Sequence, residues 1–286
     1  MHQENTETGK NILYVVATPI GNLQDITLRA LEVLKQVDLV AAEDTRVTGN
    51  LLKHFGIAAR LISVREHNEQ AGALKIIDAL RTGHNVALVT DAGTPAVSDP
   101  GARVVAAVRA AGLTVVPIPG ASAAVAALSA SGFNTPHFLF YGFLPAKGGE
   151  RRTALQSLLT LPFTLVFYEA PHRVADTVAD LVTVFGVERE IVFARELTKT
   201  FEEIHTCTLS EAAAWVASDP HRERGEFVLI VSAAIEQEKS AVETQRVLEV
   251  LLSELPVKQA SKLAAQITGE KKNQLYELAL KLRGND

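Results

Sequence analysis

The residues of this chain that could do chemistry gather where short apolar runs end. Segment 90–101, Thr-Asp-Ala-Gly-Thr-Pro-Ala-Val-Ser-Asp-Pro-Gly, follows a strand-like run at 85–89 and precedes an amphipathic run at 102–111. Acids and bases take the equivalent place elsewhere: Asp44 after 38–42, Glu66 and His67 after 61–64, Glu169 after 164–168, and Glu196 with Lys199 after 190–194. Groups of these types suit general acid–base work, which contributes roughly 10²–10⁴-fold where it operates. In the long loop the two acids divide the work. Asp99 followed by Pro100 has the pattern of a helix N-cap with proline at the first helical position, which leaves Asp91, at the strand end, to face a ligand. Gly93 lets backbone approach a ligand closely. A strand-to-helix connection usually needs only about 2–6 residues, so the length of this loop favours a functional role. Glu196 and Lys199 stand three apart in a charge-dense stretch and fit a catalytic pair and a solvated ion pair equally well. Glu66-His67 fits a helix cap better than a catalytic pair. Arg46 and Arg173 follow acids and suit salt bridges or phosphate contacts.

These positions require a scaffold of alternating strands and helices. Apolar runs at 12–17, 38–42, 61–64, 85–89 and 113–118 are each followed by a helical pattern. Repeated βα units predict a parallel, doubly wound sheet with a crevice beyond the carboxyl ends of its strands. Small residues at 123–130 predict a tightly packed helix, with Ser122 before it as a helix cap. The pattern restarts at Gly132-Phe133-Asn134-Thr135-Pro136, so a domain boundary falls there. The expected units are a disordered tail at 1–10, an α/β domain at 11–132, a second at 133–233, a polar linker at 234–243 and a helical module at 244–286. Within the second domain, 144–152 reads as a loop bearing Lys147, Arg151 and Arg152. In the module, stripes of the form i, i+3, i+4, i+7 begin at Leu248, Ala260 and Leu275, with Gly269 before the last. Three short helices with a glycine turn resemble a helix-turn-helix.

Composition excludes several classes. With 47% hydrophobic residues the 286-residue chain can build real cores, and its net charge of −5 argues against wholesale capture of nucleic acid. The stretch from 256 to 286 differs, with six basic residues against three acids. Lys258, Lys262, Lys271 and Lys272 are its candidate phosphate contacts. One cysteine, Cys207, excludes an internal disulfide framework and fits a reducing cytoplasm. No run is long enough to span a bilayer, and the polar start is no signal peptide. Gly-x-Gly-x-x-Gly and the Walker A loop are absent, which disfavours nicotinamide and P-loop enzymes. No His-Glu-x-x-His or cysteine pairing offers a metal site, so no metal is expected. Ser122 has no neighbouring base, which argues against a hydrolase.

Taken together and in order, six loops resemble the tetrapyrrole methylase superfamily: Ala17-Thr18-Pro19-Ile20-Gly21-Asn22, Ala42-Glu43-Asp44-Thr45-Arg46, Asp91-Ala92-Gly93-Thr94-Pro95, Pro119-Gly120-Ala121-Ser122, Phe167-Tyr168-Glu169-Ala170-Pro171-His172-Arg173 and Arg195-Glu196-Leu197-Thr198-Lys199. Within it they are similar to the branch that methylates the ribose 2′-oxygen of a cytidine in the decoding region of 16S rRNA. The resemblance covers about residues 11–232, and the tail matches that branch's helical extension. It implies S-adenosylmethionine folded in a cleft between two α/β domains, a homodimer with the apolar 138–143 segment near its interface, and 16S rRNA or the small ribosomal subunit as partner. Carried over by position, Pro19, Asp91, Ala92, Gly93, Thr94, Ala96 and Ser122 would line the cofactor from the first domain, and Tyr168, Leu197 and Gly225 from the second. For Tyr168 a core position at a strand end is an equal reading. Glu196, Lys199 and Asp44 are the candidate catalytic groups. Two rival readings are a small-molecule tetrapyrrole methylase and a helix-turn-helix regulator with a ligand-sensing domain.

Overall fold

The computed structural model describes residues 11–234 and 236–283, without the side chains of 223, 236–241 and 283. The expected tail at 1–10 lies outside the described residues. The first half runs β1 (Ile12–Val16), α1 (Leu28–Gln36), β2 (Leu39–Ala42), α2 (Thr45–His54), β3 (Leu61–Ser63), α3 (Glu69–Arg81), β4 (Val86–Val89), α4 (Ala102–Ala110), β5 (Thr114–Ile118) and α5 (Ala123–Ala130). Its five strands form one sheet in the order β3-β2-β4-β1-β5, every pairing parallel. Residues of β2 and β4 are buried throughout because helices cover both faces, which explains their unbroken apolar runs. Tyr14, Val16, Leu34, Val40 and Leu52 anchor the core on one face, and Leu13, Ile76, Leu80, Leu88 and Val104 on the other.

The second half runs β6 (Phe138–Phe143), α6 (Gly148–Leu158), β7 (Thr164–Glu169), α7 (Val174–Phe185), β8 (Glu190–Arg195), β9 (Glu203–Thr208), α8 (Leu209–Ala217) and β10 (Phe227–Val231). Its sheet is ordered β6-β7-β10-β8-β9 and is mixed, with β6-β7 parallel and the other pairings antiparallel. The segment read as a loop at 144–152 is helical from Gly148 onward. Two glycines at a helix start cost little there, and 150–158 holds good helix formers.

α5 connects the halves mechanically. It follows β5 in the chain, yet its buried Ala124 and Ala127 pack against Val166, Val192, Val228 and Ile230 of the second sheet. The small residues let that helix lie close to its strands. Beyond β10 come α9 (Glu236–Glu254), α10 (Val257–Thr268) and α11 (Lys272–Arg283). The stretch read as a linker is helical from Glu236, because Glu, Gln, Lys and Ala are favourable in helices whatever their polarity. The three helices share a core of Leu248, Ala260, Ala264, Leu275 and Ala279. Gly269 ends α10 in a left-handed conformation, φ +77°, which an L side chain adopts only at a cost.

Candidate functional site

The carboxyl ends of β1, β4 and β5 deliver their loops to a cavity of about 380 Å³ shared with the second sheet. Ala92, Gly93, Thr94, Val97, Ser98 and Asp99 line it from the loop after β4, and Ile20, Ser122 and Ala123 from neighbouring loops. From the second sheet come Phe143, Tyr168, Glu169, Ala194, Leu197, Glu226 and Val228, among others. A concave, mostly apolar slot of a few hundred Å³ with a few convergent polar groups is the ordinary form of a small-molecule site.

Local geometry fixes each wall. Gly93 sits at φ +85° and exchanges two backbone hydrogen bonds with Thr18, Thr18 N to Gly93 O at 2.9 Å and Gly93 N to Thr18 O at 3.0 Å. This staples the loop after β4 to the loop after β1. Thr94 Oγ1 donates to Ala121 O at 3.1 Å. Across the cleft, Tyr168 Oη accepts from Ala124 N at 3.2 Å, and its ring packs edge-on against Phe140 and Phe143. Tyr168 therefore joins the aromatic packing of its own sheet to the start of α5. Burial raises the Tyr168 phenol, a shift that the hydrogen bond from Ala124 opposes and the nearby Asp99 charge adds to.

The expected cofactor contacts divide on this geometry. Ala92, Gly93, Thr94, Ser122, Tyr168 and Leu197 line the cavity, while Pro19, Asp91, Ala96 and Gly225 do not. Gly225 instead makes room for a neighbour. A Cβ there would lie 2.5 Å from Glu196 Cγ. Ser122 is the N-cap residue of α5, but its side chain makes no capping bond. Asp91 accepts from Asp44 N at 3.0 Å, which ties the ends of β4 and β2 together.

Neither acid of the long loop keeps its expected role, since Asp91 stands outside the cavity lining and binds Asp44 N. Asp99 does not cap α4. Gly101 holds the N-cap position, and the amides of Gly101 and Arg103 donate to buried Glu69 Oε1 at 2.8 and 2.9 Å, with Val104 N at 3.4 Å. A carboxylate from α3 thus satisfies the α4 terminus, and Asp99 is released into the cavity wall. Burial pushes the Asp99 carboxyl up to about 6, helped by the charges of Glu43 and Asp91 and opposed by a hydrogen bond from Thr90. Sequence spacing alone gave no sign of this, because Glu69 lies far from α4 in the chain.

The expected catalytic groups are held by other partners. Asp44 is the N-cap of α2 and accepts from Arg46 N at 2.8 Å, while the Arg46 guanidinium binds both its oxygens at 3.1 and 2.6 Å. The Arg46 hydrogen bonds hold its carboxyl far below the usual range, so it is a poor base. Lys199 Nζ donates to Glu196 Oε1 at 2.8 Å and Glu226 Oε2 at 2.6 Å. Burial works against both charges, but the Lys199 hydrogen bond, the Glu226 amide and the lysine charge hold Glu196 below its usual value. The two acids likewise raise Lys199. Neither Glu196 nor Lys199 lines the cavity. Glu66 and His67 form a short turn ahead of α3, and Arg173 binds Glu169 and the carbonyl of Leu144.

Among the expected RNA contacts, Arg151 is a correction. It is buried, its Nε donating to Asp180 Oδ2 at 2.6 Å, so its charge is unavailable at the surface. Arg152 shares Asp180 from a half-exposed position, and Lys147 is exposed beside Glu150. Lys258, Lys262, Lys271 and Lys272 are all exposed, and Lys272 is the first residue of α11. Among the described residues no group of His, Cys, Asp and Glu is arranged to hold a metal ion.

Comparison with known proteins follows the same division. Residues 12–213 match the family described as Tetrapyrrole (Corrin/Porphyrin) Methylases, and residues 238–283 match the RsmI C-terminal HTH domain. The Ribosomal RNA small subunit methyltransferase I of Escherichia coli O157:H7 is 51% identical over 282 residues, covering 98% of this chain and 99% of its own. The protein of the same name from Pseudomonas aeruginosa is 53% identical over 275 residues, covering 95% and 98%. Among solved structures, uroporphyrin-III-C-methyltransferase from Thermus thermophilus superposes with a TM-score of 0.54 at 22% identity, over 78% of this chain and 94% of that one. A cobalt precorrin-4 methyltransferase gives 0.57 at 17% identity, over 77% and 94%. These structures bear on the fold alone.

Proposed function

This chain belongs to the tetrapyrrole methylase family, and from that membership we propose that it methylates the ribose 2′-oxygen of a cytidine in 16S rRNA, with S-adenosylmethionine as methyl donor. The observation that carries the reading is the cavity between the two sheets, found in a chain whose relatives of matching length bear rRNA methyltransferase names. A tetrapyrrole acceptor is less well supported. Relatives at about half identity extend through the helical tail, whereas the tetrapyrrole enzymes resemble 77–78% of the chain at low identity. A regulator built on a sensing domain would need one binding loop, not a cleft walled from two sheets.

The residues present fit the donor. S-adenosylmethionine bears a sulfonium and an amino-acid group, and it supplies an electrophilic methyl when bound. Ala92, Gly93, Thr94, Ser122, Tyr168 and Leu197 would hold it, chiefly through backbone groups and apolar surface. Asp99 is the lining carboxylate with no ion pair among the described residues, since Glu169 is paired with Arg173 and Glu226 with Lys199. We assign Glu196, Lys199 and Asp44 to shaping the strand-end loops, and Pro19, Asp91, Ala96 and Gly225 to supporting the cavity from behind.

Lys147, Lys258, Lys262, Lys271 and Lys272 are proposed to dock the RNA through phosphates. Lys271 and Lys272 stand at the start of α11, where cations oppose the helix dipole and a phosphate would relieve the conflict. A homodimer is proposed through the open edge of the second sheet, where Phe138, Tyr141 and Phe143 remain exposed. Sedimentation at micromolar concentration should give a dimer, and a monomer alone would reject this interface. No described helix is long and apolar enough to cross a membrane. With a ribosomal substrate the proposed compartment is the cytoplasm.

The test uses small ribosomal subunits from a strain lacking this protein. Incubation with methyl-labelled S-adenosylmethionine should place label in 16S rRNA as 2′-O-methylcytidine. Label on a base, or transfer only to a porphyrinoid acceptor, would overturn the reading.

A further inference from the structure

Resting on that reading, we propose that Asp99 is the catalytic base that accepts the ribose hydroxyl proton during methyl transfer. The geometry points to Asp99 for three reasons. First, Asp99 lines the cavity and is free of helix-capping duty, because Glu69 takes the amides of Gly101 and Arg103. Second, its segment is conformationally costly. Ala96 and Ser98 both adopt left-handed backbone, φ +68° and +63°, and Gly101 follows at +132°. Left-handed backbone is costly for a residue with a Cβ, and strain of this kind collects at active sites. The second sheet braces the segment: a Cβ on Gly142 of β6 would fall 2.8 Å from Ser98 Oγ. The backbone that aims Asp99 is therefore set by both halves of the protein.

Third, the surroundings suit a base. Facing Asp99 are Glu43 and Asp91 from adjacent strand ends, the Thr90 hydroxyl, and Tyr168 from β7. No ion pair among the described residues quenches it. Burial and the two neighbouring acids bring its pKa to about 6. A base works best with a pKa near the operating pH, and this one is ionised at neutrality yet more basic than a surface carboxylate. By contrast Asp44, with its carboxyl far below that range, and Glu196, bonded to Lys199, are weaker acceptors.

The step balances without a further reactant. The 2′-oxygen forms a bond to the methyl carbon, the carbon–sulfur bond breaks with its electron pair remaining on sulfur, and the hydroxyl proton passes to an Asp99 carboxylate oxygen and then to water. The ribose oxygen thus ends neutral, and so does the sulfur.

The test compares Asp99→Asn with the unaltered protein on small subunits at saturating S-adenosylmethionine, with calorimetry of S-adenosylmethionine binding alongside. The expected result is a loss of about 10²–10⁴-fold in kcat, with cofactor Kd changed by less than about tenfold. The kcat/KM profile of the unaltered protein should rise through about pH 6 to a plateau, and Asp99→Asn should lose that rise. An unchanged kcat would overturn the proposal. So would a defect confined to cofactor Kd that saturating cofactor removes, since Asp99 would then be an anchor. Should Asp99→Asn fail to fold, Asp99→Ala assayed with added formate should recover part of its rate, and no response would count against the proposal. If the unaltered protein transfers no methyl to RNA, the functional reading itself has failed; if it does and Asp99→Asn does equally, only this assignment has.

Discussion

Two strand-end loops of this protein use the same ingredients to opposite ends. The segment after β4 and the one after β8 both carry acids, and both contain non-glycine residues in left-handed backbone, Ala96 and Ser98 in one, Glu196 and Thr198 in the other. In the loop after β8 the charges close on one another. Lys199 bridges Glu196 and Glu226, Thr198 N donates to Glu202 Oε2 at 2.6 Å, and Gly225 is kept free of a side chain by the Glu196 carboxylate. In the loop after β4, Asp99 has no cation beside it and lies in the cavity wall. A charge that is fully paired is structural, whatever its place at a strand end. A charge left unpaired in a cleft is the one available for chemistry.

The largest loss of stability is expected where a fully paired, buried charge is disturbed, as between α6 and α7. Arg151→Ala leaves buried Asp180 with Arg152 as its remaining cation, so the loss should approach but not reach about 3–5 kcal/mol, the cost of a buried pair broken from one side. Urea denaturation should show this loss with little change in the cofactor affinity of the folded protein. Lys199→Met should cost less, about 1–2 kcal/mol after solvent screening, because the site is partly open. It should also loosen the contact between Lys199 and Gly21, where a Cβ would meet Lys199 Cγ at 2.5 Å. Increased proteolysis within 195–202 would register that loosening.

The unpaired extreme predicts the opposite sign. The folded pKa of Asp99 stands above its unfolded value of 3.8, so the native state favours the protonated form. Its ionisation therefore lowers stability progressively as pH rises from about 4 to about 6, and the penalty persists above that. Asp99→Asn should raise stability at pH 7.5 by at most about 1 kcal/mol, given partial exposure, or about 2–4 °C in Tm. At pH 4 the gain should vanish. A destabilised Asp99→Asn at neutral pH would mean that a cation pairs with the carboxylate in the folded protein.

The smallest effect belongs to the exposed cations of the helical module. Lys271→Glu with Lys272→Glu should leave folding unchanged and lower the slope of log K against log salt for RNA binding by about 1.5. An unaltered slope would remove these lysines from the RNA contact.

The parallel sheet was legible because its strands β2 and β4 are buried throughout as unbroken apolar runs and each strand run is followed by a helical period. The cavity's position was legible for the same reason, since its loops are the strand ends. What spacing could not show depended on partners far along the chain. Asp99 looks like a cap until Glu69 of α3 is seen to occupy the α4 amides. Arg151 looks like a surface base until Asp180 of α7 covers it. The run at 234–243 reads as a linker because it is polar and carries no apolar stripe, although Glu, Gln, Lys and Ala there favour helix from Glu236 onward. The packing of α5 on the second sheet was hidden too, because small residues announce close contact without naming the surface.

One measurement bears most directly on the contrast between paired and unpaired strand-end acids: kcat for Glu196→Gln beside Asp99→Asn, on the same ribosomal substrate at saturating cofactor. Glutamine can still accept from Lys199 and from Glu226 N, the two bonds that Glu196 Oε1 makes. The account predicts that Glu196→Gln stays within about tenfold of the unaltered protein while Asp99→Asn falls by about 10²–10⁴-fold. The reverse order, with Glu196→Gln inactive and Asp99→Asn near full rate, would contradict it.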